Sequence, residues 1–131
     1  MTKIIHCSGT RKRSVARATL KPGKGKVRVN KVPIDIYNSE ILKLKIKEPL
    51  ILAEDTIKEI NIDVNVRGGG VNSQAEAVRL AIARCLAKYD KKLENVFLSY
   101  DRHLLIADVR RKEVCKPNDS KARKKRQSSK R

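Results

Sequence analysis

Ile60-Asn61-Ile62-Asp63-Val64-Asn65-Val66-Arg67-Gly68-Gly69-Gly70-Val71-Asn72-Ser73-Gln74-Ala75-Glu76 contains the change of period that sets the architecture. Ile60, Ile62, Val64 and Val66 alternate with Asn61, Asp63, Asn65 and Arg67, the repeat of a half-buried strand. A triple glycine follows, and Ser73-Gln74-Ala75-Glu76 matches the S-x-x-E capping box, which predicts a helix beginning at Ser73. From there Val78, Ala81, Ile82, Cys85, Leu86 and Tyr89 recur at helical spacing, one apolar stripe reaching to about Lys91. A strand with one apolar face leading into a helix with one apolar stripe predicts layered packing of helix on sheet.

Upstream, Lys3 to Cys7 reads as a first strand, broken by Ser8-Gly9-Thr10. Ser14 to Leu20 alternates, with Ala16, Ala18 and Leu20 on one face. Lys21 to Gly25 is a Pro-Gly turn and Val27 to Val29 resumes the alternation, so a basic β-hairpin is expected here. Ile34 to Ala53 gives two signals. Leu42, Leu44 and Ile46 alternate with lysines as in a strand, whereas Ser39 reads as an N-cap and Ile41, Leu44, Lys45 and Glu48 share a helical face. The reading favours two short helices, the second starting near Pro49. Downstream, Asn95 to Leu98 reads as a short turn of helix, and Leu104-Leu105-Ile106 as a last apolar segment.

Charge divides the chain differently. Met1 to Lys31 holds ten Lys or Arg and no acid, and Val32 to Val109 holds eleven basic and twelve acidic residues. Arg110 to Arg131 holds eleven basic residues and two acids, Glu113 and Asp119. The expected organisation is a body over residues 1–109 and an extended basic tail over residues 110–131, too polar to repay its own ordering. Fully extended, those 22 residues span about 70 Å. A net charge of +18 calls for a polyanionic partner, nucleic acid before membrane surface.

One Phe, three Tyr and no Trp cannot supply the stacking platforms of single-strand readers, so contact with phosphates and sugars of a structured nucleic acid is expected. Cys7, Cys85 and Cys115 have neither disulfide-framework nor zinc-pair spacing, which implies a reducing compartment. No apolar run approaches the ~20 residues of a membrane span, and the basic N-terminus leads into no signal-peptide core. The expectation is a soluble intracellular protein with no membrane partner.

Gly68, Gly69 and Gly70 between a strand and a helix offer bare backbone N–H groups to a phosphate, or simply a flexible connection. Neither the Walker lysine nor the G-x-G-x-x-G pattern is present. Arg11, Lys12, Arg13 and Arg17 lie in a stretch without acids, which favours RNA contact over a merely solvated turn. His6 and His103 are isolated, and no Ser/His/Asp, Cys/His or carboxylate pair has catalytic spacing, so no enzyme, metal or cofactor is expected.

Three segments together resemble one family. Gly9-Thr-Arg-Lys-Arg-Ser-Val-Ala-Arg-Ala18 resembles the G-x-R-K-x-[AS]-x-A-x-[AV] segment of the universal small-subunit ribosomal protein nine family. Gly68-Gly-Gly-Val-Asn-Ser-Gln-Ala-Glu-Ala77, continuing to Ala83-Arg-Cys-Leu86, resembles that family's signature, and Gln127-Ser-Ser-Lys-Arg131 its ending. Tyr100-Asp101-Arg102, followed by Arg110-Arg111, looks most like the archaeal and eukaryotic branch. Cys85 stands where a smaller residue is usual, Ser128 where bacterial members look aromatic, and Lys130 where the archaeal pattern has Tyr.

The resemblance implies an α/β (α+β) two-layer sandwich, a four-stranded sheet with helices packed on it, and a left-handed βαβ crossover. It implies a cytoplasmic structural constituent of the small-subunit head, bound to 16S-type ribosomal RNA beside neighbouring head proteins. The tail would reach the peptidyl-site tRNA, with Lys130 and Arg131 on tRNA phosphates. Carried over by position, Arg11, Lys12, Arg13, Gly68, Gly69, Gly70 and Gln74 would contact ribosomal RNA. Charge adds Arg17 and Arg67, and the tail stem of Arg110, Arg111, Lys112, Lys116, Lys121, Arg123, Lys124, Lys125 and Arg126, to the expected RNA contacts. Two rivals come from other classes, a nucleotide enzyme using the glycines as its phosphate loop and a DNA-compacting basic protein.

Overall fold

The computed structural model describes residues 4–37 and 39–123. Its sheet contains β1 (Ile5–Arg11), β2 (Ser14–Pro22), β3 (Val27–Val29), β4 (Val32–Pro33) and β5 (Ile60–Arg67), in the spatial order β1-β2-β5-β3-β4. The helices are α1 (Glu40–Leu52), α2 (Glu54–Ile57), α3 (Val71–Tyr89) and α4 (Lys92–Tyr100). The sheet has five strands where four were expected, because the two-residue β4 turns back onto β3.

The expected hairpin of residues 14–20 with 27–29 does not form. β5 lies between them, antiparallel to β2 and parallel to β3. Its apolar face explains the preference. Ala16 pairs with Val66, Ala18 with Val64 and Leu20 with Ile62, so two alanines and a leucine of β2 stand opposite β-branched residues of β5, and all six are buried. The turn before β3 bonds to the start of β5 instead, Gly23 N–H to Glu59 O and Gly25 N–H to Ile60 O. The hairpin partner of β2 is β1, across Lys12-Arg13.

Ser8-Gly9-Thr10 does not break the first strand; β1 runs through it to Arg11. A Cβ on Gly9 would stand 2.4 Å from Ala77 O and 2.7 Å from Ala81 N. The missing side chain lets α3 lie directly on the strand.

α3 packs across β1, β2 and β5, and α1 and α4 pack against α3. The expected stripe is buried, Tyr89 partly so, and Ala75, Ala77, Leu80 and Ala83 are buried as well, because α3 is covered on more than one side. α1 runs through Pro49 rather than ending there. Pro49 removes one N–H from near the helix end, and its buried ring adds to the face formed by Leu42 and Ile46. The expected face is therefore the wrong one, since Ile41 and Leu44 point outward. α4 extends the expected turn at Asn95–Leu98 in both directions, with Phe97 fully buried. After it, Leu104 plugs the core, and Arg84 ties the chain down by donating to Leu105 O and Ser8 O. Beyond this point no described residue belongs to a helix or strand.

Candidate nucleic-acid interface

The glycine turn is built by sterics and three hydrogen bonds. Gly68 and Gly69 hold φ of 79° and 67°, the left-handed region that glycine enters without penalty. Gly68 O accepts from Ser14 Oγ at 2.8 Å and from Gln74 Nε2 at 3.1 Å, so the fully buried Ser14 and the first turn of α3 fix the loop together. A Cβ on Gly69 would fall 2.1 Å from Ser14 Oγ, whereas one on Gly70 would meet nothing within 4 Å. Gly70 therefore faces open space.

α3 begins at Val71, two residues before the expected Ser73. Its N-cap is Gly70, whose carbonyl accepts from Gln74 N–H at 2.9 Å, and no side chain caps it. The N–H groups of Val71, Asn72 and Ser73 precede that first bond and lie at the positive end of the helix. The capping box does not form, because Ser73 lies inside the helix rather than at its N-cap, and Glu76 has other partners. Arg11 Nε lies 2.6 Å from Glu76 Oε2, and Lys45 Nζ 3.6 Å from Oε1.

In front of this helix end is a groove of about 810 Å³. The body contributes Lys12, Arg13, Gly69, Gly70 and Ser73, and the tail contributes Arg110 to Cys115. Five cations line it against one acid, and that acid, Glu113, is paired with Lys116 and Arg123.

Ion pairing sorts the cations. Arg11 turns inward, only 13% exposed, between Glu76 and Asp108, and its Nη1 donates to Arg110 O at the root of the tail. Asp108 in turn receives the side chain and backbone N–H of Arg110, and these bonds hold its carboxyl far below the usual carboxylate range. Burial pushes the Glu76 carboxyl upward, but the hydrogen bond and charge of Arg11, with help from Lys45, outweigh it and lower the group. At Asp101 burial is likewise overcome by His103 N–H and Arg79, which also pairs with Glu48. Among the described residues, Lys12, Arg13, Arg111 and Lys112 have no carboxylate within ion-pair distance. The body's acids hold the scaffold, and the groove keeps uncompensated positive charge.

The family model described as ribosomal protein S9/S16 matches residues 9–131. The chain belongs to the ribosomal protein S9/S16 family. The small ribosomal subunit protein uS9 of Methanococcus maripaludis strain C5 is 43% identical over 131 residues, covering 97% of this chain and 98% of the relative. Its counterpart from Thermoplasma acidophilum is 50% identical over 124 residues, covering 93% and 96%. The S9/S16 match takes in Gly9, the glycine turn, α3 and the whole tail.

Within this S9/S16 chain the expected site residues fall into five groups, besides Arg11, which is turned inward onto Glu76 and Asp108. Lys12, Arg13, Gly69, Gly70, Arg110, Arg111 and Lys112 meet in the groove. Gly68 and Gln74 shape its edge through the bond to Gly68 O. Arg17 and Arg67 lie apart, in a cleft on the sheet face opposite the helices. Lys116 and Arg123 pair with Glu113, and Lys121 is exposed. Lys124, Lys125, Arg126, Lys130 and Arg131 lie outside the described residues. Sequence reading missed the acids that organise the interface, Glu76 and Asp108, and it missed Lys31 in the cleft. Only Glu76 gave a signal, and the capping-box motif misdirected it. Among the described residues no group of three His, Cys, Asp or Glu could hold a metal ion.

Proposed function

We propose that this chain is a structural, non-catalytic constituent of the small ribosomal subunit in the cytoplasm. Its body, residues 1–109, docks on 16S-type ribosomal RNA of the subunit head beside neighbouring head proteins. Its tail, residues 110–131, continues along the RNA toward the peptidyl-site tRNA. The observation that carries this reading is the sorted charge: carboxylates neutralise Arg11 and Arg79 inside the body, while among the described residues Lys12, Arg13, Arg111 and Lys112 have no carboxylate within ion-pair distance around an open helix end.

The chemistry is phosphate binding without base readout. Backbone N–H groups of Val71 to Ser73 donate to a phosphate oxygen, and guanidinium and ammonium groups on both walls neutralise the flanking charges. Arg11 and Arg110 set the direction in which the tail leaves the body. The tRNA part rests on the matching terminus, with Lys130 and Arg131 as the phosphate contacts.

The test is binding of the full chain to small-subunit ribosomal RNA across a salt series. Each phosphate contact contributes about 0.7 to 0.9 to the slope of log affinity against log salt. A steep slope and co-sedimentation with small subunits are expected, and a slope near zero refutes the reading. Deleting Lys130 and Arg131 should weaken peptidyl-site tRNA retention and spare assembly; the reverse result assigns the terminus to ribosomal RNA.

A further inference from the structure

We propose a second RNA-backbone site on the open face of the sheet, formed by Arg17, Lys31 and Arg67; it rests on the RNA-binding reading above. These residues line a cleft of about 650 Å³ with Val15, Asn30 and Asn65, and share no lining residue with the groove at the glycine turn.

Sheet register assembles the cleft. Arg17 stands opposite Asn65 and Val15 opposite Arg67, so alternate residues of β2 and β5 meet on the face that α3 does not cover. The third cation arrives by the turn between β3 and β4. Val29 pairs with Val32, leaving Asn30 and Lys31 as a two-residue connection. Asn30 clamps it to β5: its N–H donates to Val64 O, its Nδ2 to Val66 O, and its Oδ1 accepts from Val66 N–H at 2.9 Å.

Lys31 is the wrong residue for that turn. Asn30 and Lys31 hold φ of 49° and 69°, the type I′ geometry in which Asn suits the first position and Gly the second. A lysine in the left-handed region is strained, and strain maintained against local preference is a mark of function. Here it places an ammonium beside two guanidiniums. Among the described residues none of the three has a carboxylate within ion-pair distance, although Asp63 on the same face is available and is held instead by Arg28 at 2.8 Å.

Three uncompensated cations in one cleft fit a run of phosphates. Asn65 adds a donor, and half-exposed Val15 an apolar floor for a ribose. A polyanion is thus favoured over an apolar occupant, and the RNA-binding reading of the groove favours RNA over an acidic protein segment.

The experiment compares the full chain with Lys31→Gly, Arg17→Gln/Lys31→Gly, and the groove variant Arg13→Gln/Lys112→Gln, each titrated with small-subunit ribosomal RNA over a salt series. Lys31→Gly should melt at the same temperature or higher, since glycine suits the turn. It should bind RNA about threefold to tenfold more weakly, and its salt slope should shrink by about 0.7 to 0.9. The double variant should lose about twice that slope. If the groove variant weakens binding while Lys31→Gly changes neither affinity nor slope, the cleft holds no RNA and this proposal falls. If neither variant weakens binding, the RNA-binding reading itself is at fault. Unchanged RNA affinity combined with lost incorporation into subunits would assign the cleft to an acidic protein neighbour and overturn the proposal.

Discussion

Arg11 Nε, at the end of β1, lies 2.6 Å from Oε2 of Glu76 in the second turn of α3. This contact occupies both a cation that looks made for RNA and an acid that looks made for a helix cap. It also couples the sheet to the helix whose N-terminus opens on the groove, and through Asp108 to the root of the tail.

Removing it should therefore act on the fold. Arg11→Ala should lower stability by about 1–2 kcal/mol, a charged hydrogen bond discounted for the 35% exposure of Glu76. The salt slope for RNA should barely change. Lys12→Ala and Arg13→Ala should do the opposite, with near-normal melting and a slope reduced by about one for each cation. Paired thermal melts and RNA titrations separate the two classes; equal behaviour of all three residues refutes the sorting.

The glycines should separate just as sharply. Gly9→Ala forces a Cβ against the backbone of α3 and should cost about 3 kcal/mol, read as a lower denaturant midpoint at unchanged m. Gly69→Ala combines a positive φ with a clash on Ser14 Oγ and should also destabilise. Gly70→Ala meets open space and should fold normally. Any loss of RNA affinity in that variant then reports on the groove alone.

Stability should fall in acid. Glu76, Asp101 and Asp108 all titrate below their ordinary values in the folded chain. A carboxyl lowered by folding contributes stability that is whole above its unfolded value, near pH 4, and is lost as pH falls through the folded value. The melting temperature should be level between about pH 5 and pH 8 and decline below about pH 4. Asp108→Asn should flatten that decline; a curve as steep as the parent's excludes Asp108 as a contributor.

Thiol chemistry offers a footprint of the groove. Cys115 is exposed on its lining, while Cys85 is buried on α3 and pushed up, first by burial and then by neighbouring Cys7. Maleimide should label Cys115 fast and Cys85 slowly. Small-subunit ribosomal RNA should protect Cys115, and unchanged labelling in its presence would place the RNA elsewhere.

The residues from Ile60 to Tyr89 determined their own structure. Period two, glycines that permit a turn, and a helical stripe are local properties, and strand, turn and helix followed with only the helix start displaced. Segmental charge likewise determined that a near-neutral body lies between basic ends, the distribution on which the expectation of a polyanionic partner rests. What required the tertiary structure was every choice among equivalent partners. Two strands of similar pattern can pair as neighbours or admit a third, and burial opposite Ala16 and Ala18 decided for β5. A helix with apolar residues on two faces can turn either way, and packing against α3 turned Leu42 and Ile46 inward and left Ile41 and Leu44 outside. Cations are identical in sequence until a carboxylate far along the chain reaches one and not the next. Glu76 and Asp108 came to Arg11 across 65 and 97 positions and, among the described residues, left Lys12 and Arg13 without a carboxylate partner, a distinction that long-range contacts create and no local pattern records.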